Sequence, residues 1–222
     1  MLERIHWLGH ASFRINGPPH SDRPVIFIHP WQLPPGLSRA DLILISHDHP
    51  DHSSPEDVDR VYKHDTLVFG NQRVVDRLRH WPVQLLRPWQ SGASKCRRVS
   101  VRALPAYTPD HAYHDKSYGG LGFLISVMRH DIYFAGDTGL IPEMEKIACD
   151  IALLPVGGAL TMNYEEAASA AAIIQPRVAI PMHYGREVPG TRDCGRCFVQ
   201  MVNSGVQARE LEVENDRMYT SS

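Results

Sequence analysis

The chain is poor in cysteine and has no long apolar run, and each lack excludes a class of protein. Its 222 residues include 4 cysteines, too few for the disulfide framework of a small secreted domain. The uncharged stretch 151–164 has 14 residues and contains a proline and two glycines, whereas a membrane span needs about 18 or more apolar residues. No apolar run follows Glu3 and Arg4, so we expect no secretory signal. These absences favour a soluble chain of a reducing compartment, and we expect a cytoplasmic one.

The chain also lacks an excess of either charge. It has 23 basic and 25 acidic residues and a formal net charge of −2, so bulk basicity does not favour binding to nucleic acid or to an acidic membrane. A local basic strip at 95–98 is the one segment that still allows binding to nucleic acid. Neither a repeat nor a Ser/Gly linker divides the sequence. We therefore predict one packed domain over residues 1–222.

Apolar runs and helix caps predict the elements of this domain. Helices are predicted from Pro55 (after the N-cap Ser54), after Asn71, and over 164–174 and 193–203. Because strands come first and helices are interleaved later, we expect sheets packed together with helices outside, an α+β architecture. The predicted strands are 3–8, 12–15, 25–28, 41–46, 66–69, 98–104, 121–127, 131–135, 151–154, 177–181 and 207–213.

Histidine is abundant, with 13 in the chain, and it clusters directly after the predicted strand 41–46. Five of the six residues 47–52 are His or Asp, which makes an ordinary polar loop the weaker interpretation. In extended backbone His47 and His49 point the same way and could grip one ion together. A turn at Pro50 would direct Asp51 and His52 toward a second ion. Imidazole and carboxylate ligands suit zinc, iron or manganese.

Two later segments have the same form, a predicted strand that ends in a possible ligand. Asp137 follows an apolar run between small residues, and His183 follows another. Either residue alone is weak evidence for a metal site, because an Asp before Thr-Gly is commonly a turn or cap residue. Together they would add a carboxylate able to bridge two cations and one more nitrogen ligand.

This motif set resembles the metallo-β-lactamase superfamily. The resemblance rests on the 47–52 cluster followed by Asp137 and His183, in that order and at wide spacing. The segments 7–13 and 181–185 further resemble the branch of ascorbate-phosphate lactonases and the N-acyl-phosphatidylethanolamine-cleaving phospholipase D, and 136–158 resembles a bacterial group of small hydrolases. The resemblance implies a four-layer αββα sandwich with its site at one edge, between two sheets.

The sequence departs from the superfamily pattern at two positions. Thr108 stands where the third motif usually supplies a histidine, and His111 or His114 could substitute for it. His29 stands where relatives usually carry an aspartate that supports a ligating imidazole from behind. A neutral His29 could do the same through a ring nitrogen, with one unit less negative charge.

The resemblance implies one or two divalent cations, with zinc expected first and manganese or iron as alternatives. Two cations bridged by a carboxylate lower the pKa of a shared water from 15.7 toward about 7, so that hydroxide can attack an ester or phosphoryl group at neutral pH. Asp51 could also orient that hydroxide and pass a proton to the leaving group. His10 could line the pocket, hold a ligand carboxylate, or be a core histidine. The expected ligands are His47, His49 and His114 for one ion, Asp51, His52 and His183 for the other, and Asp137 as the bridge.

A polar, aromatic segment at 107–118 is a candidate substrate loop, and Lys116 with its histidines favours an anionic small molecule. We therefore expect a hydrolase of a small ester, phosphodiester or phosphate-bearing lactone. A mononuclear iron enzyme that oxidises persulfides and a scaffold with a degraded site are the alternatives. Thr161 and Tyr164 could also reach the pocket. We interpret Cys194 and Cys197 as incidental, because one pair supplies two of the four ligands of a structural zinc.

Overall fold

The computed structural model describes residues 1–17, 24–93, 99–109, 111, 113–203 and 205–214. The basic strip at 95–98, and with it Cys96, lies outside these ranges. Within them no helix is both long enough and apolar enough to cross a membrane.

Thirteen strands and four helices of the described residues build the fold. Short 3₁₀ turns cover Leu2–Arg4, Lys116–Tyr118 and Pro142–Lys146. The helices are α1 Pro55–Val61, α2 Gln72–Arg77, α3 Tyr164–Ile174 and α4 Cys194–Met201. The strands are β1 Ile5–Gly9, β2 Ser12–Asn16, β3 Val25–Ile28, β4 Leu42–Ile45, β5 Leu67–Gly70, β6 Val83–Leu85, β7 Ser91–Ala93, β8 Val99–Pro105, β9 Leu121–Val127, β10 His130–Phe134, β11 Ile151–Pro155, β12 Val178–Met182 and β13 Gln207–Ala208.

The strands form two mixed sheets. The first has the order β1-β2-β3-β4-β5-β6, antiparallel up to β3 and parallel beyond it. The second has the order β13-β12-β11-β10-β9-β8-β7, parallel from β13 to β10 and antiparallel from there to β7. Strands β9 and β10, which are adjacent in the chain, form an antiparallel hairpin.

Alternation along the central strands divides the core into layers. In β4, Leu42 and Leu44 join the large core cluster shared with the second sheet, whereas Ile43 and Ile45 join a second cluster with α1 and α2. Both faces of this strand are buried, as its continuous apolar run predicted. Phe13 in β2 meets Phe134 in β10, with 6.3 Å between ring centroids, so the two sheets pack face to face.

Helices cover the outer face of each sheet. The caps that the sequence predicted are present, because the Ser54 side chain accepts from the Asp57 N–H and that of Asn71 accepts from the Val74 N–H. On the second sheet, α3 and α4 pack against β11 and β12 and against each other. The αββα sandwich is therefore confirmed. The closing strand is shorter than predicted, because after β13 the chain leaves the sheet and Val213 pairs with Trp7 instead.

The topology brings particular strand ends to one edge. In the first sheet β1 and β2 are antiparallel, as are β2 and β3, so β1 runs in the same direction as β3 and β4. By the same reasoning β8 runs with β10, β11 and β12 in the second sheet. The side chains predicted to form the site follow the carboxyl ends of β1, β3, β4, β8, β10 and β12.

Candidate metal centre

Two backbone hydrogen bonds join these strand ends across the sandwich. The His183 N–H after β12 donates to the His10 carbonyl after β1, at 2.9 Å. The Leu121 N–H at the start of β9 donates to the carbonyl of Ser46, which follows β4, at 3.2 Å. These two hydrogen bonds therefore fasten loops that carry predicted ligands to the opposite sheet.

A first group of four side chains meets at this edge. His47, His49, His114 and Asp137 each offer a ligand atom, and these atoms lie within 4.8 Å of one another. The His47 and His49 ring centroids are 4.6 Å apart, and those of His49 and His114 are 4.9 Å apart. His47, His114 and Asp137 line a narrow cleft together with Ser46 and Tyr118. Three imidazoles and a carboxylate are a donor set that suits a divalent transition metal.

A closed loop explains how His114 reaches this group. The Thr108 N–H donates to the His114 carbonyl at 2.7 Å, and the Thr108 hydroxyl donates to the carbonyl of Leu160. The chain thus returns to the place where the third motif would present its histidine. His111 lies outside the group, and its Nδ1 accepts from the Tyr113 N–H at 3.4 Å. Of the two alternatives left by the sequence, the structure brings His114 to His47 and His49.

A second group lies beside the first. Ligand atoms of His10, His52 and His183 also fall within 4.8 Å of one another. The Asp51 carboxylate reaches toward this group, with Oδ2 at 3.5 Å from Nε2 of both His10 and His52. Its side chain is 39% exposed, whereas the imidazoles around it are largely buried. Asp51 is thus the carboxylate of this group that solvent reaches.

Asp137 stands between the two groups. Its Oδ2 lies 3.7 Å from Nε2 of His47, 3.3 Å from that of His52 and 3.2 Å from that of His183. Burial alone would raise the pKa of this carboxyl, but His183, His52 and His47 outweigh it and hold the pKa well below its usual range. Asp137 therefore faces both groups, and its role as a bridge between two cations stays a prediction.

Unpartnered polar atoms show that the centre fits cations. Buried polar atoms are normally hydrogen-bonded. Here several side chains of the two groups have a buried nitrogen or oxygen without a hydrogen-bond partner among the described residues. Divalent cations would satisfy those of these atoms that face the two groups, and nitrogen and oxygen donors are ligands that zinc takes. The atoms are Nδ1 of His10, Nε2 of His47, Nε2 of His52, both ring nitrogens of His114, Oδ1 of Asp137 and Nδ1 of His183.

Burial lowers the pKa of three imidazoles of the two groups. Desolvation, with the neighbouring His183 and His52, lowers the pKa of His10 to about 2. Desolvation is also the largest cause that lowers the pKa of His47 and that of His114. His183 differs, because burial lowers its pKa but the Asp137 charge and hydrogen bond raise it further. Neutral imidazoles keep the lone pair that a cation needs.

His29 lies behind the second group. Its Nδ1 is 2.7 Å from Nδ1 of His52, and its Nε2 accepts from the Ser46 N–H at 3.1 Å. Both of its ring nitrogens are thus engaged with protein atoms. His29 therefore lies directly behind His52, at the position where the resemblance implied a supporting aspartate.

Sequence reasoning missed several supporting residues. The Ser46 hydroxyl lies 2.7 Å from Nδ1 of His47, and the Tyr118 hydroxyl donates to Asp48. Glu143 accepts from Lys116 at 2.7 Å and from the Tyr107 hydroxyl at 2.9 Å. Ser46 had a usable signal, since it directly precedes His47. Glu143 had none, because it lies 27 residues from Lys116 in sequence.

Three further residues named from the sequence belong to neither group of ligands. The Thr161 hydroxyl donates to the Gly158 carbonyl at 3.2 Å, which closes a turn. Cys194 is partly buried, and burial raises the pKa of its thiol, the opposite of the shift that a reactive thiol at a helix start shows. Tyr164 is half-buried in the first turn of α3.

Comparison with known proteins places the chain in a family. The family model described as beta-lactamase superfamily domain matches residues 4–183, which include all the expected ligands. The chain belongs to the metallo-β-lactamase superfamily.

Relatives of the chain indicate its general class within the superfamily. A UPF0173 metal-dependent hydrolase of Thermoplasma acidophilum is 35% identical over 194 residues, covering 82% of this chain and 83% of that protein. One of Methanopyrus kandleri is 30% identical over 233 residues, covering 97% and 99%. The solved structure of Igni18, a metallo hydrolase from Ignicoccus hospitalis, is 26% identical with a TM-score of 0.75 and covers 94% of each chain. The general class of the chain is accordingly that of a metal-dependent hydrolase.

Proposed function

We propose that this chain hydrolyses a small ester, phosphodiester or phosphate-bearing lactone with divalent cations, zinc first among them. One observation carries the proposal. Two adjoining groups of imidazoles share the Asp137 carboxylate and contain buried donor atoms without partners among the described residues. Such groups are costly to bury unless something binds them, because each unsatisfied polar atom costs about 1–3 kcal/mol.

His47, His49 and His114 would hold one cation, and His52, His183 and Asp51 the other, with Asp137 shared. His10 lies at the second group and could contribute a further nitrogen. When bound, such cations lower the pKa of a coordinated water and polarise a carbonyl or phosphoryl oxygen. The protein fixes the donors in advance, because each of them lies at the end of a strand or in a loop tied to one.

Asp51 is the residue that we propose for proton transfer. Its carboxylate is partly exposed and lies 3.5 Å from Nε2 of both His10 and His52. At Oδ2 it can accept a proton from the attacking water and return it to the leaving oxygen. Asp137 is less suited to this step because it is buried and surrounded by imidazoles.

The attraction for an anionic substrate would come from the cations. Lys116, the residue that favoured an anion in the sequence, is paired with Glu143 at 2.7 Å, and its ammonium lies 5.1 Å from the Tyr107 ring centroid. Its charge thus fastens the 107–118 segment to the turn Pro142–Lys146.

The test removes and restores the metal. Protein stripped with a chelator is reloaded with Zn²⁺, Mn²⁺ or Fe²⁺ and assayed on p-nitrophenyl acetate, bis(p-nitrophenyl) phosphate and a simple lactone. We expect hydrolysis of at least one substrate only after reloading, and its loss in His47→Ala and His183→Ala but not in His80→Ala, an exposed control. Hydrolysis that survives chelation, or that persists in both site variants, would overturn the proposal. Oxygen uptake with Fe²⁺ and a persulfide, without hydrolysis, would favour the oxidising alternative.

A further inference from the structure

The hydrogen bonds of His29 fix the position of one proton. Its Nε2 accepts from the backbone N–H of Ser46 at 3.1 Å, so Nε2 carries no hydrogen. Every imidazole keeps a hydrogen on at least one nitrogen unless it is fully deprotonated, so His29 carries its hydrogen on Nδ1. That nitrogen lies 2.7 Å from Nδ1 of His52 and donates to it.

The same reasoning fixes the tautomer of His52. Since Nδ1 of His52 accepts, the neutral ring carries its hydrogen on Nε2. This is the nitrogen that faces the two carboxylates, 3.3 Å from Oδ2 of Asp137 and 3.5 Å from Oδ2 of Asp51. The lone pair that a cation in the second group would need is thus occupied by a proton.

His47 in the first group provides the internal comparison. Its Nδ1 lies 2.7 Å from the Ser46 hydroxyl, which can accept a hydrogen bond as well as donate one. His47 can therefore carry its hydrogen on Nδ1 and leave Nε2 free, the usual arrangement of a ligating histidine. The backbone N–H that fixes His29 has no such freedom, because it can only donate.

We propose that His29 makes the second cation position the weaker one, so that the chain fills the His47/His49/His114/Asp137 group first and holds one cation at limiting metal. This inference rests on the proposed function, since it presumes that both groups bind cations. A cation on Nε2 of His52 requires that the tautomers of His29 and His52 both reverse. Reversal would set an N–H of His29 against the N–H of Ser46 in a site where His29 is fully buried.

The rest of the environment leaves His29 little room to turn away. Its ring centroid lies 4.9 Å from that of Phe134, at 84° between planes, and 5.9 Å from that of His47. A carboxylate at this position could accept from both the Ser46 N–H and Nδ1–H of His52. Exchanging such a supporting partner changes metal affinity by about 10–100-fold, so the effect is large enough to measure.

The experiment is a titration of metal-free protein with Zn²⁺, followed by calorimetry and by elemental analysis after gel filtration. For the wild type we expect two classes of site that differ at least about tenfold in affinity. In His29→Asp the Zn²⁺ affinity of the weaker class of site should rise by about 10–100-fold, while that of the tighter class is unchanged. Two equal classes in the wild type, or no change of the weaker class in folded His29→Asp, would overturn the proposal. His29→Asn is the control for the added charge, because its amide oxygen can also accept from His52.

A second measurement needs no variant. Long-range ¹H–¹⁵N correlation spectra of the metal-free wild type assign the tautomer of each histidine. We expect His52 to carry its proton on Nε2 and His29 on Nδ1, and the reverse assignment for either would overturn the proposal. A wild type that takes up no Zn²⁺ at all would instead contradict the proposed function, which keeps the two failures distinguishable.

Discussion

Asp137 makes the two groups one centre, because a single oxygen of its carboxylate faces three imidazoles. The sequence singled out Asp137 and His183 by their place at strand ends. It could not show that His10 would join His52 and His183, because that contact depends on a hydrogen bond between residues 10 and 183. The choice between His111 and His114 as the third nitrogen ligand was also open, because it depends on a contact with His47 and His49, which lie far away in the sequence. Neither residue has a local pattern that fixes its direction.

His114→Ala tests the third nitrogen of the first group. We expect it to lower the affinity of the tighter Zn²⁺ class at least about tenfold, since the group loses one of four donors. Activity on any substrate found should fall in parallel. Zinc titration with elemental analysis measures the affinity.

His111→Ala is the matched control for this change. It removes an imidazole from the same loop, three residues away, that lies outside the group. Zinc affinity should be unchanged. A loss in His111→Ala with none in His114→Ala would reverse the assignment.

At the scale of elements, tight turns at strand ends place the ligands. A Cβ atom on Gly157, in the turn after β11, would overlap the His183 carbonyl oxygen and would lie 3.2 Å from a methyl of Val188. We therefore expect Gly157→Ala to displace His183. The affinity of the second cation position for Zn²⁺ and the melting temperature should both fall. Zinc titration and a thermal scan measure both effects.

Gly36→Ala is the comparison for backbone strain alone. Gly36 has a φ of +83°, and a Cβ atom added there would meet nothing within 4 Å. This variant should lose stability, by about 1 kcal/mol, without any change in zinc binding. If Gly157→Ala behaves in the same way, the turn does not position His183.

Most elements followed from their own residues, and those that did not are short edge strands. The helix over 164–174 was predicted to the residue from the spacing of its apolar residues, and the structure adds an N-cap at Asn163. The strands β6 and β7 have three residues each, and both lie at sheet edges. Such strands form because a neighbour offers hydrogen bonds, and no pattern within three residues records that.

At the scale of the whole molecule, buried neutral imidazoles make stability depend on pH. The pKa of His10 falls from 6.5 to about 2 on folding, so between these values the unfolded chain binds a proton that the folded chain does not. Stability should therefore decline as pH falls below 6.5, by about 1.4 kcal/mol per pH unit for each such proton. The raised pKa of His183 acts the other way and removes stability as pH rises above 6.5.

Thermal scans of the metal-free chain between pH 7 and pH 5 check this dependence. We expect the melting temperature to fall across this range, because the imidazoles of His29, His47 and His114 also have lowered pKa values. His10→Asn, which keeps a polar side chain without a titrating group, should give a shallower slope. A melting temperature that stays level or rises would contradict the expectation.

Metal removal should lower stability at fixed pH. A ligand present at 100 times its Kd stabilises the folded state by about 2.7 kcal/mol, which for a chain of this length corresponds to about 5–10 °C in Tm. We expect one cooperative transition if residues 1–222 form one domain, as predicted, and a shift of that size on adding Zn²⁺. His47→Ala should show much less of the shift, and an equal shift in that variant would argue against the site.

Three of the imidazoles come from residues whose φ is positive, namely His10 at 50°, His29 at 47° and His183 at 57°. Side-chain-bearing residues in that region cost about 1–2 kcal/mol each relative to ordinary backbone. Glycine relieves this cost, so a search for heat-resistant variants guided by backbone preference would replace these histidines early. Such a search would yield a more stable protein that lacks these imidazoles. Thermostabilising work on this chain should therefore leave the three positions unchanged.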